Sequence, residues 1–452
     1  MKILIAGGGK VGEALIKQLV EEKNDVTVID SNAKKLERLT EQYDIIAVQG
    51  NGASIQTLKQ AGAEQADLMI VATGSDEINL LCTMTAHGLN PSIHTIARIR
   101  NPEYAEQAYS MKEIFGLSLA FNPERQAALE IERLLKFPGF LKRDSFAKGR
   151  VEIVELKIDA ASKLCGVPLI TMYSIVKCRA LVCAVLRNGD VVIPGGNFTL
   201  QAGDRIFVTA ARRELSLLLK NLGIVTHKVR RIIVAGGGSV SYYLAEALEN
   251  DRIGVTVIER DADRCQKLAE LLPHANIIHG NSADQDLLES EGLSKCDALV
   301  TLLDSDEQNV IVSMFGNSQN VPQIITKLDR MDDAKILDSL PVGSIICPKR
   351  LSCNIILRYV RAMQARTGGA LTIHTIADGQ AEALEFSVDE NTPYCGVPLK
   401  DLKLKKNLLI ACINRGSSAV IPRGDSAFLP GDSVVVVTEK TNLILHLGDI
   451  FE

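Results

Sequence analysis

Three glycines spaced Gly7-x-Gly9-x-x-Gly12, followed by a carboxylate at Asp30, are the first residues whose types and spacing could do chemistry. That chemistry is the binding of a dinucleotide. Gly7 permits a tight turn, Gly9 lets backbone approach a pyrophosphate, and Gly12 allows a helix to pack close on a sheet. A helix starting there offers unpaired amides and the favourable end of its dipole to the phosphates. Asp30, 23 positions after Gly7, is placed to accept hydrogen bonds from an adenosine ribose. A 2′-phosphate would be repelled there, and Ser31 and Asn32 follow in place of Arg, so NAD(H) or an adenine nucleotide is favoured over NADP(H).

The same sentence is written again further along the chain. "KILIAGGGKVG" from Lys2 returns as "RIIVAGGGSVS" from Arg231, so Gly236, Gly238 and Glu259 match Gly7, Gly9 and Asp30 at an offset of about 230 positions. Asn51 matches Asn281, "SDEINL" from Ser75 matches "SDEQNV" from Ser305, and "CGVPL" occurs at both Cys165 and Cys395. The second loop carries Ser241 where the first has Gly12, which predicts a wider gap between helix and sheet, and Arg260 beside Glu259 would tolerate added phosphate. The two sites are expected to be unequal.

Elements able to hold such loops are legible around them. Apolar Ile3–Ala6, a helix with Val11, Leu15 and Leu19 on one face, and the strand Asp25–Asp30 open a series that continues through a helix at 33–42 and strands at 45–48, 67–73 and 93–99. Val- and Ile-rich runs separated by helical patterns predict a parallel doubly wound sheet, buried on both faces. A helix from Pro123 is expected to end at "FPGF", Phe137 to Phe140. From Val151 the pattern alternates, and Asn188-Gly189 in "VLRNGDVVI" marks a hairpin turn. The expected fold is therefore α/β: two Rossmann-like doubly wound parallel-sheet domains, each followed by a small α+β domain, in a tandem duplication. The boundaries read as 1–140, 141–224, 225–366 and 367–452.

Bulk properties narrow the function class. The 452 residues exceed what one core usually fills, and 46% hydrophobic with 23% charged residues is a globular composition. A net charge of −5 without basic runs gives no support to nucleic-acid binding. No apolar run reaches the roughly 20 residues of a membrane span, and Met1 leads into a strand without a secretory signal, so a cytoplasmic location is expected. The ten cysteines show neither CxxC pairs nor zinc spacing and are read as reduced thiols.

Tandem glycine-loop units, each with a "CGVPL" and a "GD" tail, together with "ARIRNPEYA" from Ala97, resemble the TrkA family of bacterial potassium-uptake regulators, built from RCK (regulator of potassium conductance) domains. The resemblance spans nearly the whole chain. It implies a cytoplasmic regulatory subunit, peripheral on the inner face of the plasma membrane, that binds NAD/NADH, or ATP or ADP, and gates a TrkH/TrkG-like potassium-translocating subunit. It further implies a homo-oligomer, a tetramer or dimer forming an RCK ring. The nucleotide set implied comprises Gly7, Gly8, Gly9, Lys10, Val11, Gly12, Asp30, Asn51, Thr73 and Arg98, with Gly236, Gly238, Glu259 and Asn281 in the repeat. In this set Asn51 would meet adenine, Thr73 would lie near the phosphates and Lys10 would reach a terminal phosphate, whereas Ser239 in the repeat carries no charge. Some relatives hold a divalent ion through a Glu at the position of Glu124.

The competing class is an NAD-dependent oxidoreductase, since the fold alone decides nothing about chemistry. Tyr173 and Lys177 have the Tyr-x-x-x-Lys spacing of short-chain dehydrogenases, but they fall in the strand-rich module and the repeat lacks the Tyr. His87 and His94 flank a helix end and a strand start, where capping is the simpler role. The regulatory reading also accounts for duplication, because coupling requires two arrangements that ligands prefer unequally.

Overall fold

A computed structural model describes the chain except for residues 137–139, 147–148, 225–227, 330–339, 365–368, 417 and 443. The expected helix stop at Phe137–Gly139 and the boundary positions 225 and 366 lie outside the described residues. The chain divides into two compact units, Met1–Ala127 with Cys347–Leu357, and Ala128–Ile346 with Arg358–Glu452.

The first unit is built on six parallel strands in the order β3-β2-β1-β4-β5-β6, where β1 is Lys2–Ala6, β2 Asp25–Asp30, β3 Ile46–Gln49, β4 Leu68–Val71, β5 His94–Arg98 and β6 Leu119–Phe121. β1 and β4 are buried almost along their whole length because helices cover both faces. β3 departs from the expected double burial: it is the sheet edge, and Ile46 is 66% exposed. Helix α1, Lys10–Glu21, buries Val11, Leu15, Ile16 and Leu19 along one stripe. Helix α2, Ala33–Gln42, starts where the Asn32 side chain accepts from the Lys35 amide; after the short α3, Ile55–Gln60, α4, Asp76–Leu89, starts where Ser75 accepts from Ile78. The order of the strands reverses between β1 and β4, so the carboxyl ends of those strands open a crevice.

The second unit repeats this sheet with β12, Arg231–Ala235, β13, Gly254–Glu259, β14, Asn276–His279, β15, Ala298–Thr301, β16, Gln323–Lys327 and β17, Ser344–Ile346, in the order β14-β13-β12-β15-β16-β17. It also contains two five-stranded antiparallel sheets. The first runs β10-β9-β11-β8-β7, with β7 Lys142–Phe146, β8 Val151–Lys157, β9 Ala180–Arg187, β10 Asp190–Val192 and β11 Arg205–Ala211. Asn188 and Gly189 both have positive φ, as the predicted turn requires. The second runs β18-β19-β22-β20-β21, from β18, Ala370–Ile376, and β19, Ala381–Ser387, to β20, Leu408–Arg415, β21, Ser418–Val420, and β22, Ser433–Glu439. The repeated "GD" tails are structural: buried Asp204 takes both arms of Arg187 at 2.7 Å, and Asp432 takes those of Arg415 at 2.9 and 2.7 Å. The two antiparallel sheets share one core, in which Phe146, Ile153 and Phe207 meet Ile376, Ala383 and Val435.

Candidate functional site

The crevice at the carboxyl ends of β1, β2 and β4 is a cavity of about 580 Å³ lined by Gly7, Gly9, Asp30, Asn51 and Thr73, with Lys35, Gly50, Gly52, Ser75 and Ile78. Each loop glycine has its own physical reason. Gly7 has φ +103°, and a Cβ there would lie 2.7 Å from the Ala72 carbonyl oxygen. A Cβ on Gly12 would lie 1.9 Å from the Gly7 carbonyl oxygen, so only glycine lets α1 pack at this depth. Nothing lies within 4 Å of a Cβ built on Gly9, which is where a ligand's phosphates would approach. Gly9 caps α1 without a side-chain hydrogen bond, so the first amides of the helix keep their capacity for an anion.

Asp30 is held in place by three donors. Its Oδ2 accepts from the Gly8 amide at 2.8 Å and from Lys35 Nζ at 2.9 Å, and its Oδ1 accepts from the Asn32 amide at 2.9 Å. Burial alone would push the Asp30 carboxyl up, but the Asn32 amide, Lys35 and the Gly8 amide together hold it below its ordinary value. It is therefore an ionised acceptor with a fixed orientation. Lys35, absent from the sequence-based set, lies five positions after the acid, in the first turn of α2, whose start carries it back to Asp30. Its charge offsets that of Asp30, which weakens the repulsion of a 2′-phosphate expected from the carboxylate alone.

Asn79, also absent from that set, fixes the far wall. Its Oδ1 accepts from the Thr73 amide at 3.0 Å and from the Thr73 hydroxyl at 2.6 Å, and its amide nitrogen donates to the Arg98 carbonyl at 2.7 Å. Fully buried on α4, it ties the ends of β4 and β5 together. Asn51 forms a local turn through the Ala53 amide at the rim. Of the remaining candidates, Val11 is buried beneath α1 and Lys10 opens that helix at the surface. The Arg98 side chain is outside the cleft lining and binds Glu124 at 2.7 Å. Arg98 occupies Oε1 of Glu124 and leaves Oε2 without a hydrogen-bond partner among the described residues, where no cluster of three His, Cys, Asp or Glu side chains could hold a metal.

The second crevice repeats the acid. Glu259 accepts from the Gly237 amide at 2.7 Å and from Asp261 at 2.9 Å, with Arg264 in the place of Lys35 at 3.8 Å. Gly236 again has φ +103°. Yet its cavity is only about 50 Å³, because Leu302, Leu303 and Asp304 stand where the first crevice has Ala72, Thr73 and Gly74. Buried Ser241, in the place of Gly12, donates its hydroxyl to the Gly236 carbonyl.

The TrkA-N domain model matches residues 3–120 and 232–348, and the TrkA-C domain model matches 153–223 and 383–446. The chain is 30% identical over 451 residues to the Trk system potassium uptake protein TrkA homolog of Archaeoglobus fulgidus, covering 100% of both chains. The chain belongs to the TrkA family. The Trk system potassium uptake protein TrkA of Haemophilus influenzae is likewise 30% identical over 460 residues, covering 100% of this chain and 99% of that one. Among solved structures, the GsuK RCK domain has a TM-score of 0.62 at 15% identity, covering 97% of this chain and 92% of its own. The GsuK channel bound to NAD has a TM-score of 0.60, covering 97% and 77%. At these identities the likeness establishes for this TrkA-family chain the RCK arrangement of parallel and antiparallel sheets.

Proposed function

We propose that this TrkA-family chain is the nucleotide-sensing regulatory subunit of a potassium-uptake system. It holds NAD(H), or ATP or ADP, in the first crevice and passes the effect to a potassium-translocating membrane partner of the TrkH/TrkG type. The observation that carries the reading is the pre-organised Asp30, fixed by three donors beside an open glycine loop. The titratable side chains lining that crevice are Asp30 and Lys35, and they bind each other, which supports a site that grips a nucleotide without reacting with it. The dehydrogenase-like pair gains no support: Tyr173 lies on the five-residue helix Met172–Val176 of the antiparallel module and Lys177 caps it.

Within this reading the adenosine ribose sits on Asp30, the adenine near Asn51, and the phosphates over Gly9 and the amino end of α1. Relatives named as Trk potassium-uptake proteins, and a GsuK channel solved with NAD, motivate the partner and the ligand. The chain is proposed to work in the cytoplasm, on the inner face of the membrane, as a homo-oligomeric ring; among the described residues no helix is long and apolar enough to cross a membrane. The test is calorimetric titration of the purified chain with NADH, NAD, ATP and ADP, followed by potassium flux through the co-purified membrane partner with and without each. Binding without change in flux, or oxidation of NADH by the chain alone, would overturn the proposal.

A further inference from the structure

The segment "ARIRNPEYA" from Ala97 leaves β5 and enters the helix α5, Pro102–Ser110. Its first arginine, Arg98, pairs with Glu124 outside the crevice lining. Its second, Arg100, reaches the crevice wall: Nη2 donates to the carbonyl of Gly74, one of the residues that line the first crevice. Arg100 is itself held by its surroundings. Buried Asp76, the first residue of α4, accepts through Oδ2 from the Arg100 and Asn101 amides, each at 2.8 Å, and its Oδ1 faces Arg100 Nε at 3.7 Å. Asn122 donates to the Arg100 carbonyl at 3.0 Å, and Asn101 caps α5 by accepting from the Glu103 amide at 2.9 Å. Main chain and side chain of Arg100 are thus fixed by separate groups.

The consequence for a ligand is electrostatic. A backbone carbonyl in the wall of a crevice presents partial negative charge to an entering phosphate. A guanidinium bound to that oxygen engages its lone pair and adds a full positive charge at the same wall. It also braces the loop 73–75, whose Thr73 is tied to Asn79. The second copy lacks this brace. Asp329 stands where the first copy has Arg100, and its amide keeps the same bond, to Asp306 at 2.8 Å, so the two positions match along the backbone. A carboxylate cannot donate to a carbonyl, and Gly74 is replaced there by Asp304. The guanidinium goes with the open crevice and a carboxylate with the narrow one.

We propose, given the nucleotide reading of this crevice, that Arg100 is a positioning residue which makes the wall at Gly74 receptive to phosphate. It acts through the Gly74 carbonyl, holding that oxygen and countering its charge. The specificity that follows is for adenine ligands that carry phosphate, ADP and NADH, over adenosine.

The test is fluorescence titration of the full-length chain with NADH, with ADP and adenosine as competitors. Arg100→Met should weaken NADH and ADP by about three- to tenfold, the scale of one charge-assisted hydrogen bond at a partly exposed site. Adenosine should lose less than about twofold, because ribose and adenine lie away from the braced carbonyl. Arg100→Lys, which keeps a charge and a donor, should lie between Arg100→Met and wild type. Unchanged affinity for NADH and ADP, or an equal loss for adenosine, would overturn the role of Arg100, since a collapsed wall weakens all three alike. A wild-type chain that binds none of the three would overturn the nucleotide reading itself, so the two failures are told apart. Should Arg100→Met fail to fold, Arg100→Lys carries the same comparison with a smaller loss.

Discussion

The two crevices share a loop, a positive-φ first glycine and a buried acid pinned by backbone amides, yet one is about 580 Å³ and the other about 50 Å³. The difference lies in three consecutive residues after the fourth strand of each sheet. Ala72-Thr73-Gly74 leaves room above the glycine loop, whereas Leu302-Leu303-Asp304 fills it with two large side chains and sets a carboxylate where phosphates would need positive potential. Asn79 and Asn309 make the same backbone bonds in both copies, so the scaffold is conserved between the halves while the floor is changed. A repeated motif thus supplies one fold twice, with crevices of unequal volume.

The largest effect expected is at the ribose. Asp30→Ala should weaken NADH binding by about 10- to 150-fold, the equivalent of losing ~1.5–3 kcal/mol from hydrogen bonds to a charged group, whereas Glu259→Ala should leave the titration unchanged. Equal losses from both variants would break the comparison. Gly12→Ser imports the second copy's residue and forces a Cβ and hydroxyl against the Gly7 carbonyl, costing about 1–3 kcal/mol by overpacking, read as a lower thermal midpoint and weaker binding. Leu303→Thr combined with Asp304→Gly should sharpen the contrast by adding a second, weaker binding event in calorimetry.

The smallest effect is expected from Lys35→Met. Lys35 is one-third exposed, so screening limits its pairing with Asp30 to under ~1 kcal/mol. The readout is the acid limb of binding. Asp30 is depressed in the folded chain, so its carboxylate contributes above its ordinary pH range and is lost only as pH falls through the lowered value. Without Lys35 that loss should begin at higher pH.

Most of the first crevice could be read directly. Gly7, Gly9, Gly12 and Asp30 declare themselves because a dinucleotide loop tolerates few residue types, and the strand and helix patterns around them placed them correctly. Strand ends shifted by one or two residues, and β3 proved to be an edge, because the number of neighbours a strand has is not written in its apolar content. Asn79 and Lys35 escaped notice for a related reason. Each is an ordinary polar residue on a helix until the fold carries it to Thr73 or Asp30.

What the sequence determined by itself was the duplication, the alternation of strand and helix, the turn glycines and the acid after the second strand, all local patterns set by side-chain periodicity and backbone freedom. Only the tertiary structure decided that one crevice is open and its twin filled, and that Asp144 of one copy meets His374 of the other. Both depend on distances between side chains far apart in the chain. No local pattern records such distances, because packing, not spacing along the backbone, sets them.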